Sequence, residues 1–230
     1  MITKTETTPP LTFGFDVYGT LIDTHGVVVE LEQYIGDLAA TFSQIWREKQ
    51  LEYTFRRGLM QSYEPFGICT KQALEFVNQH LQCGLSEAQL ANLIECYRTL
   101  PAFTDAPTGL EAMKQSGAAI YAFSNGQAHA VEHVLRHADI LHYFDGIVSV
   151  DEIKTFKPDP RVYEHFIART QANLNTAWLV SSNGFDVIGA IKAGMKAAWI
   201  QRNPSLILDP WEISPTITLT NLLALPKTAI

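Results

Sequence analysis

The segment FDVYGTLID, residues 15–23, places one carboxylate, Asp16, directly after a short apolar run. A carboxylate delivered by a buried strand can act as a nucleophile. In phosphoryl transfer, a second acid two residues further would protonate the leaving group, but this chain has Tyr18 there. On the local sequence alone, a turn aspartate is the simpler interpretation of Asp16, because aspartate is common in turns.

Three further polar clusters follow apolar runs: SNG at 124–126, KTFKPDPRVY at 154–163 and SSNGFD at 181–186. In open parallel sheets, ligands bind beyond the carboxyl ends of the strands, where the loops converge. We therefore expect these clusters to share one site with Asp16. Each also has a simpler interpretation, since Asn183 could cap a helix and Lys157 could be an ordinary turn lysine.

The order of apolar patterns predicts the elements that position these clusters. From about residue 27 to residue 97, apolar residues recur at helical spacing, and SEAQ at 86–89 has the form of a capping box. After Pro101, strands alternate with segments of helix length, which predicts a parallel sheet covered by helices. The predicted strands are LTFGF (11–15), AAIYAFS (118–124), GIVSV (146–150), TAWLVSS (176–182) and AAWI (197–200).

Composition limits the classes of function. The 230 residues are 47% apolar, enough for a substantial core, and carry 17 basic and 24 acidic residues without a basic run, which argues against nucleic-acid or anionic-membrane partners. Cys69, Cys83 and Cys96 are unevenly spaced and are expected to be free thiols. The first ten residues have no apolar signal-peptide core, and no apolar stretch reaches about 18 residues. We expect a soluble cytoplasmic protein.

Five motifs in register resemble the haloacid dehalogenase superfamily and, within it, the type II L-2-haloacid dehalogenases. They are FDVYGTL, WREKQLEYT, FSNG, KPDPRVY and SSNGFD, and the similarity runs from about residue 13 to about residue 222. The resemblance implies a Rossmann-like α/β core of residues 11–23 and 100–225, with a helical cap of residues 24–99 inserted after the first strand. It also implies a small 2-haloacid substrate, no cofactor, no metal and a homodimer.

The resemblance further implies hydrolysis of L-2-haloalkanoic acids to D-2-hydroxy acids with inversion. Asp16 would attack the α-carbon to form an ester, and water would then attack the ester carbonyl. Halide leaves without a proton, so a second acid at position 18 would only repel halide and substrate. Phosphatases of the superfamily carry that acid and further carboxylates for Mg²⁺ in the fourth motif, where this chain has Ser181 and Ser182 and keeps only Asp186.

Other matched positions would bind the substrate. Arg47 and Asn125 resemble the halide-binding residues, because a charged guanidinium fork and an amide N–H suit a departing anion. Ser124 would hold the substrate carboxylate together with backbone N–H groups near Tyr18 and Gly19.

A last group would support the nucleophile, the water and the pocket wall. Lys157 would offset the negative charge of Asp16 and substrate, with Tyr163 supporting the site. Thr20 would hydrogen-bond the nucleophile. The water-positioning group would consist of Ser181, Asn183 and Asp186, with Asp186 alternatively a partner for Lys157. The apolar wall would consist of Tyr18, Leu51, Phe66 and Phe185, although its aromatic members, taken singly, would more simply be core residues.

Some alternatives stay open. Phe185 stands where well-known relatives carry tryptophan, which leaves the preferred chain length undecided. A magnesium-dependent phosphatase and a catalytically silent fold that binds a carboxylate or a protein partner are the competing functions. His129, His133 and His137 recur at a spacing that could hold a metal, but a solvated helix face is the simpler interpretation, since no cysteine or carboxylate lies in register.

Overall fold

A parallel β-sheet forms the centre of the computed structural model, which describes residues 10–229. The strands within that range are β1 (Thr12–Phe15), β2 (Ala119–Ser124), β3 (Gly146–Ser149), β4 (Ala177–Ser181), β5 (Lys196–Ile200) and β6 (Ile217–Leu219). The α-helices within the same range are α1 (Val27–Ile35), α2 (Ala39–Leu59), α3 (Phe66–His80), α4 (Glu87–Arg98), α5 (Ala106–Gln115), α6 (Ala128–His137), α7 (Pro160–Thr170), α8 (Gly184–Lys192) and α9 (Leu225–Ala229). The strand order is β3-β2-β1-β4-β5-β6.

β1 lies in the middle of the sheet and delivers Asp16 to its carboxyl edge. All residues of β1 are buried, and Phe15 pairs with Ala122 of β2 on one side and with Val180 of β4 on the other. The Asp16 N–H continues this pattern by donating to the Val180 carbonyl oxygen at 2.9 Å. The chain winds away from β1 in both directions, and open parallel sheets bind ligands at such a switch point.

A glycine in β1 allows close packing behind the site. A Cβ atom built at Gly14 would lie 2.7 Å from the ring of Phe166 on α7, nearer than carbon atoms pack. Phe166 in turn packs on Phe123 of β2, with ring centroids 4.9 Å apart. The FGF sequence therefore suits a central strand whose middle residue is covered directly by an aromatic ring.

The structure confirms the predicted α/β class, with a parallel sheet flanked by helices and a helical segment inserted after the first strand. The five predicted strands are present, and each end lies within one residue of its predicted position. β6 was not predicted, because three residues at the sheet edge are too few for a periodic pattern.

The inserted helices α1 to α4 follow β1 and precede α5. The longest is α2, whose buried Phe42, Trp46, Gln50 and Thr54 recur every four residues and so lie on one face. Trp46 Nε1 donates to the carbonyl oxygen of Thr70 on α3 at 2.9 Å, which fixes α2 against α3. The predicted capping box is confirmed at the start of α4, where Ser86 and Gln89 cap each other.

Other predictions concern the surface and the termini. His129, His133 and His137 are exposed on α6, whose buried residues lie on the other face, in agreement with a solvated helix face. The three cysteines are free thiols. No helix in residues 10–229 is long and apolar enough to cross a bilayer. The prediction of a leader without a signal-peptide core concerns residues 1–9, which lie outside the described residues.

Candidate active site

The Asp16 carboxylate is held from both oxygens at the carboxyl edge of the sheet. Oδ2 accepts hydrogen bonds from the Thr20 hydroxyl at 3.0 Å and from Asn183 Nδ2 at 2.8 Å, while Oδ1 accepts from Lys157 Nζ at 3.2 Å. Asp16 is 8% exposed, so one edge of the carboxylate can still be reached from the pocket. These three hydrogen bonds fix the orientation of the Asp16 carboxylate, which lies in the turn after β1.

Lys157 lies between two carboxylates and is completely enclosed. Its Nζ donates to Asp186 Oδ2 at 2.8 Å and to the Phe123 carbonyl oxygen at 2.9 Å, in addition to Asp16. Burial alone would lower the pKa of the Lys157 ammonium, but Asp186 and Asp16 raise that pKa above its ordinary value. Lys157 therefore remains charged and provides a permanent positive charge beside Asp16.

Asp186 supports Lys157 from behind. Its side chain is buried, and Oδ1 accepts a hydrogen bond from the Tyr163 hydroxyl at 2.9 Å. Burial raises the pKa of the Asp186 carboxyl, and the adjacent Lys157 opposes that rise. Burial also raises the pKa of Tyr163 well above its ordinary value, so its hydroxyl stays a hydrogen-bond donor. Since both oxygens of Asp186 are occupied, this carboxylate orients Lys157 and has no direct contact with the pocket.

Asn125 and Ser124 present donors at the end of β2. The Asn125 Oδ1 accepts from the Lys157 backbone N–H at 2.9 Å, which leaves the Nδ2 donor directed elsewhere. The Ser124 Oγ accepts from the Gly126 N–H at 3.0 Å, so its hydroxyl hydrogen stays available to a ligand. The Gly19 N–H is not available, because it donates to the Ile22 carbonyl oxygen at 2.9 Å. The prediction that N–H groups of this turn face the substrate is therefore limited to Tyr18.

Arg47 reaches the pocket from α2. Its guanidinium donates to Gln50 Oε1 at 2.6 Å, to the Tyr18 carbonyl oxygen at 3.2 Å and to Asn183 Oδ1 at 3.5 Å. All three acceptors are neutral, and no carboxylate within residues 10–229 forms an ion pair with Arg47. The positive charge of Arg47 is therefore not compensated by the described residues and can attract an anion.

Gln50 fixes Arg47 and was not identified from the sequence. It is 1% exposed, and its Nε2 donates to the Thr70 hydroxyl at 2.6 Å on α3. The Tyr97 hydroxyl of α4 donates to the Gln50 Oε1 at 3.3 Å. A signal was present, because Gln50 lies in the motif WREKQLEYT three residues after Arg47, a spacing that places two side chains on one helix face.

Aromatic rings form the apolar part of the pocket. Tyr18 stacks on Phe66 of α3 with ring centroids 5.8 Å apart, and on Tyr97 with centroids 5.6 Å apart. Burial raises the pKa of the Tyr18 phenol, so the ring is neutral. Phe185, at the start of α8, packs edge-on against Phe55 of α2 at 5.0 Å. Sequence reasoning missed Phe55 and Tyr97, because neither lies among the polar clusters that follow the strands.

The structure brings most of the predicted residues to one small pocket. It is lined by Asp16, Tyr18, Arg47, Leu51, Phe66, Ser124, Asn125, Lys157, Asn183 and Phe185. Four other predicted residues stand behind that lining. Thr20, Ser181 and Asp186 each form a hydrogen bond with a lining residue, and Tyr163 donates to Asp186. Of the predicted water-positioning group, only Asn183 therefore reaches the pocket itself.

Arg202 is a further residue that sequence reasoning missed. Its Nε donates to the Thr20 carbonyl oxygen at 3.0 Å, and its Nη1 donates to Asp105 at 3.0 Å. The guanidinium also lies over the Phe103 ring, 3.7 Å from the centroid. Arg202 thus stabilises the turn that follows Asp16. Its position after β5 did not indicate this contact, because its partner Thr20 lies more than 180 residues earlier in the chain.

Comparisons with known proteins show which proteins this chain resembles. The family model of the haloacid dehalogenase-like hydrolases matches residues 11–194. The (S)-2-haloacid dehalogenase of Pseudomonas sp. (strain YL) is 34% identical, with 87% of this chain and 88% of the relative covered. The (S)-2-haloacid dehalogenase 1 of Pseudomonas sp. (strain CBS-3) is 38% identical, with 82% and 83% covered. The structure of the L-2-haloacid dehalogenase from Xanthobacter autotrophicus with chloropropionic acid covalently bound has a TM-score of 0.89 and 27% identity, covering 95% and 97%.

Proposed function

Since the chain belongs to the haloacid dehalogenase-like hydrolase family, we propose that it hydrolyses L-2-haloalkanoic acids and releases D-2-hydroxy acids. Its similarity to (S)-2-haloacid dehalogenases over more than 80% of both chains makes it a hydrolase acting on carbon–halide bonds. One observation carries the proposed mechanism: a lone carboxylate, Asp16, lines the same small pocket as Arg47, whose charge the described residues do not compensate.

The first step is attack of the Asp16 carboxylate on the α-carbon of the substrate. A carbon–oxygen bond forms as the carbon–halogen bond breaks, and the bonding pair leaves with the halide. Attack opposite the halide inverts the carbon, which turns an L-2-haloacid into a D-2-hydroxy acid. Thr20, Asn183 and Lys157 hold the nucleophile in one orientation. The covalently bound chloropropionic acid in the Xanthobacter relative supports an ester intermediate.

The departing halide binds Arg47 and the Nδ2 group of Asn125. A halide is a stable anion and takes no proton, so the neutral Tyr18 phenol at the position of a second acid does not hinder the reaction. The substrate carboxylate binds the Ser124 hydroxyl and the Tyr18 N–H, which donates to no acceptor within residues 10–229. Lys157 lowers the electrostatic cost of bringing this second negative charge next to Asp16.

Hydrolysis of the ester completes the cycle. Water attacks the γ-carbonyl carbon of the esterified Asp16, the bond to the alkyl oxygen breaks, and the 2-hydroxy acid leaves with an oxygen that came from Asp16. Overall, one haloacid and one water give one hydroxy acid, one halide and one proton. Asn183 is the residue of the predicted water-positioning group that lines the pocket, and we assign the positioning of water to its side chain.

We propose that the reaction uses no metal. Magnesium prefers several carboxylate oxygens, and here the fourth motif supplies only Asp186. Both Asp186 oxygens already accept hydrogen bonds, from Lys157 and from Tyr163. The carboxylate oxygens at this site therefore bind the Lys157 ammonium, where a phosphatase would bind a metal ion.

We also propose that residues 24–99 act as a cap over a core formed by residues 11–23 and 100–225, and that the protein is a homodimer. The contacts of Arg47 on α2 with Tyr18 and Asn183 support a cap, because this helix completes a pocket whose other polar groups come from the sheet edge. Light scattering of the purified protein measures the oligomeric state directly.

A single turnover in heavy-oxygen water tests the mechanism. The first product is expected to carry unlabelled oxygen from Asp16, and later products to carry label; label in the first product would rule out the ester. Asp16→Asn is expected to lower halide release from L-2-chloropropionate at least about 10⁴-fold, because the nucleophile is lost. Asp37→Asn, an exposed aspartate between α1 and α2, is the matched control and should keep activity.

A further inference from the structure

A second and larger cavity lies beside the catalytic pocket, under the C-terminal half of α2. Its volume is about 700 Å³, within the range of small-molecule sites. Its walls are mainly apolar and include Phe55 and Leu59 of α2, Phe156, Ile188 of α8 and Trp211. Leu59 and Trp211 at its rim are 88% and 66% exposed. We call this cavity the side chamber.

The side chamber and the catalytic pocket share part of their lining. Phe185 lines both spaces, and its ring meets Phe55 edge-on with centroids 5.0 Å apart. Lys157 also lines both spaces. Phe185 is half-buried, whereas the next residue of α8, Asp186, is buried.

Gly58 leaves open space on the α2 wall of the side chamber. It lies within α2 and lines the chamber, and a Cβ atom built on it would meet nothing nearer than the Thr155 hydroxyl oxygen at 3.8 Å. By contrast, a Cβ atom at Gly189, on the opposite wall, would lie 2.3 Å from the Tyr163 hydroxyl oxygen. Packing therefore explains Gly189 but not Gly58, and glycine is a poor helix former. The volume that Gly58 leaves free has no protein occupant among the described residues.

We propose that the side chamber is an alkyl subsite, which receives the chain of 2-haloalkanoic acids longer than propionate. The inference rests on the proposed function. The carboxylate and the carbon–halogen bond stay at Ser124, Asn125 and Asp16, and the alkyl chain passes Phe185 and lies against Phe55 and Ile188. An apolar space next to the reacting atoms suits a hydrocarbon chain, since each methylene removed from water favours binding.

The dependence of activity on chain length tests the subsite. With racemic 2-chloropropionate, 2-chlorobutanoate, 2-chlorohexanoate and 2-chlorooctanoate, kcat/KM is expected to rise by about three- to fourfold for each methylene that becomes buried. A steady fall of kcat/KM from propionate to octanoate in the native protein would overturn the subsite.

Two variants at one position locate the effect. Gly58→Phe places a benzyl side chain in the side chamber and is expected to lower the ratio of kcat/KM for 2-chlorooctanoate to that for 2-chloropropionate by at least about tenfold. Gly58→Ala adds one methyl group and is the control, expected to change this ratio less than twofold. An unchanged ratio in Gly58→Phe, with native-like thermal unfolding, overturns the proposal. If Gly58→Phe changes only the oligomeric state measured by light scattering, a second copy of the chain packs over the side chamber, and the alkyl subsite is overturned.

The same assay separates this inference from the proposed function. Release of halide from 2-chloropropionate without the chain-length effect overturns only the alkyl subsite. Failure to release halide from every 2-haloacid overturns both.

Discussion

The two walls of the catalytic pocket differ in whether their positive charge is paired with carboxylates. On the sheet side, the Lys157 ammonium is enclosed and paired with two carboxylates at 3.2 and 2.8 Å. On the α2 side, Arg47 is half-buried and contacts only neutral acceptors within the described chain. The paired charge of Lys157 stabilises the fold as well as the nucleophile, whereas the charge of Arg47 remains available to bind an anionic ligand. We therefore expect changes to the two walls to separate stability from activity.

The largest effect is expected on the sheet side. Lys157→Met leaves the carboxylates of Asp16 and Asp186 without their ammonium, and breaking a buried pair in this way costs about 3–5 kcal/mol. Both the free energy of unfolding in urea and the halide release should fall strongly. Lys71→Met, an exposed lysine of α3, is the control. A Lys157→Met protein as stable as the native protein would show that the sheet side does not depend on this pair.

An intermediate effect is expected on the α2 side. Arg47→Ala should lower halide release by about 10²–10³-fold, the usual cost of removing a group that stabilises developing negative charge. The free energy of unfolding should fall by about 1.5–3 kcal/mol, less than in Lys157→Met, because hydrogen bonds from a charged donor to neutral acceptors are lost but no ion pair is broken. Arg56→Ala, an exposed arginine of the same helix, is the control. A loss of stability comparable to that of Lys157→Met would contradict the division between the walls.

The smallest effect is expected for a hydrogen bond between the inserted helical segment and the segment that follows β3. The Tyr63 hydroxyl, between α2 and α3, donates to Asp151, after β3, at 2.6 Å. Partial burial would raise the pKa of the Asp151 carboxyl, but hydrogen bonds from Tyr63 and Lys154 hold that pKa below its usual range. Tyr63→Phe should lower the free energy of unfolding by about 1 kcal/mol at pH 7.

The sign of the pH dependence follows from that lowered pKa. Because Asp151 binds its proton less tightly in the folded state, its contribution is present above the unfolded pKa of about 4 and is lost as pH falls further. The stability difference between the native protein and Tyr63→Phe should therefore shrink below about pH 4, as measured by urea unfolding at several pH values. A difference that grows on acidification would contradict the contact.

The fold was largely predictable because its signals are local. Short apolar runs bounded by turns indicate buried strands, and the alternation of strands with helices indicates a parallel sheet. β6 was missed because an edge strand of three residues, none of them buried, has no such pattern. The polar clusters after the strands were predictable as one site for the same reason, since the carboxyl ends of parallel strands meet at one edge.

Roles within the site were less predictable, as Asp186 and Gln50 illustrate. The motif indicated Asp186 as a partner for Lys157, which the structure confirms, but not that Tyr163 occupies its second oxygen. Gln50 reads as a surface residue of a charged helix, and only the packing of α2 on α3 shows that it is 1% exposed and orients Arg47. Such contacts join residues far apart in the chain, which no local pattern encodes.

By itself, the sequence determined the reactive groups and the class of fold: a lone aspartate after a central strand, without a second acid at Tyr18, and an arginine in the inserted helices. Residue types and spacing suffice for this, because they set chemistry and periodicity. Only the tertiary structure decided which residues line the pocket, which stand behind it, and that Phe185 also lines a side chamber. Those properties depend on distances between separate elements, which arise when the helices and the sheet pack together.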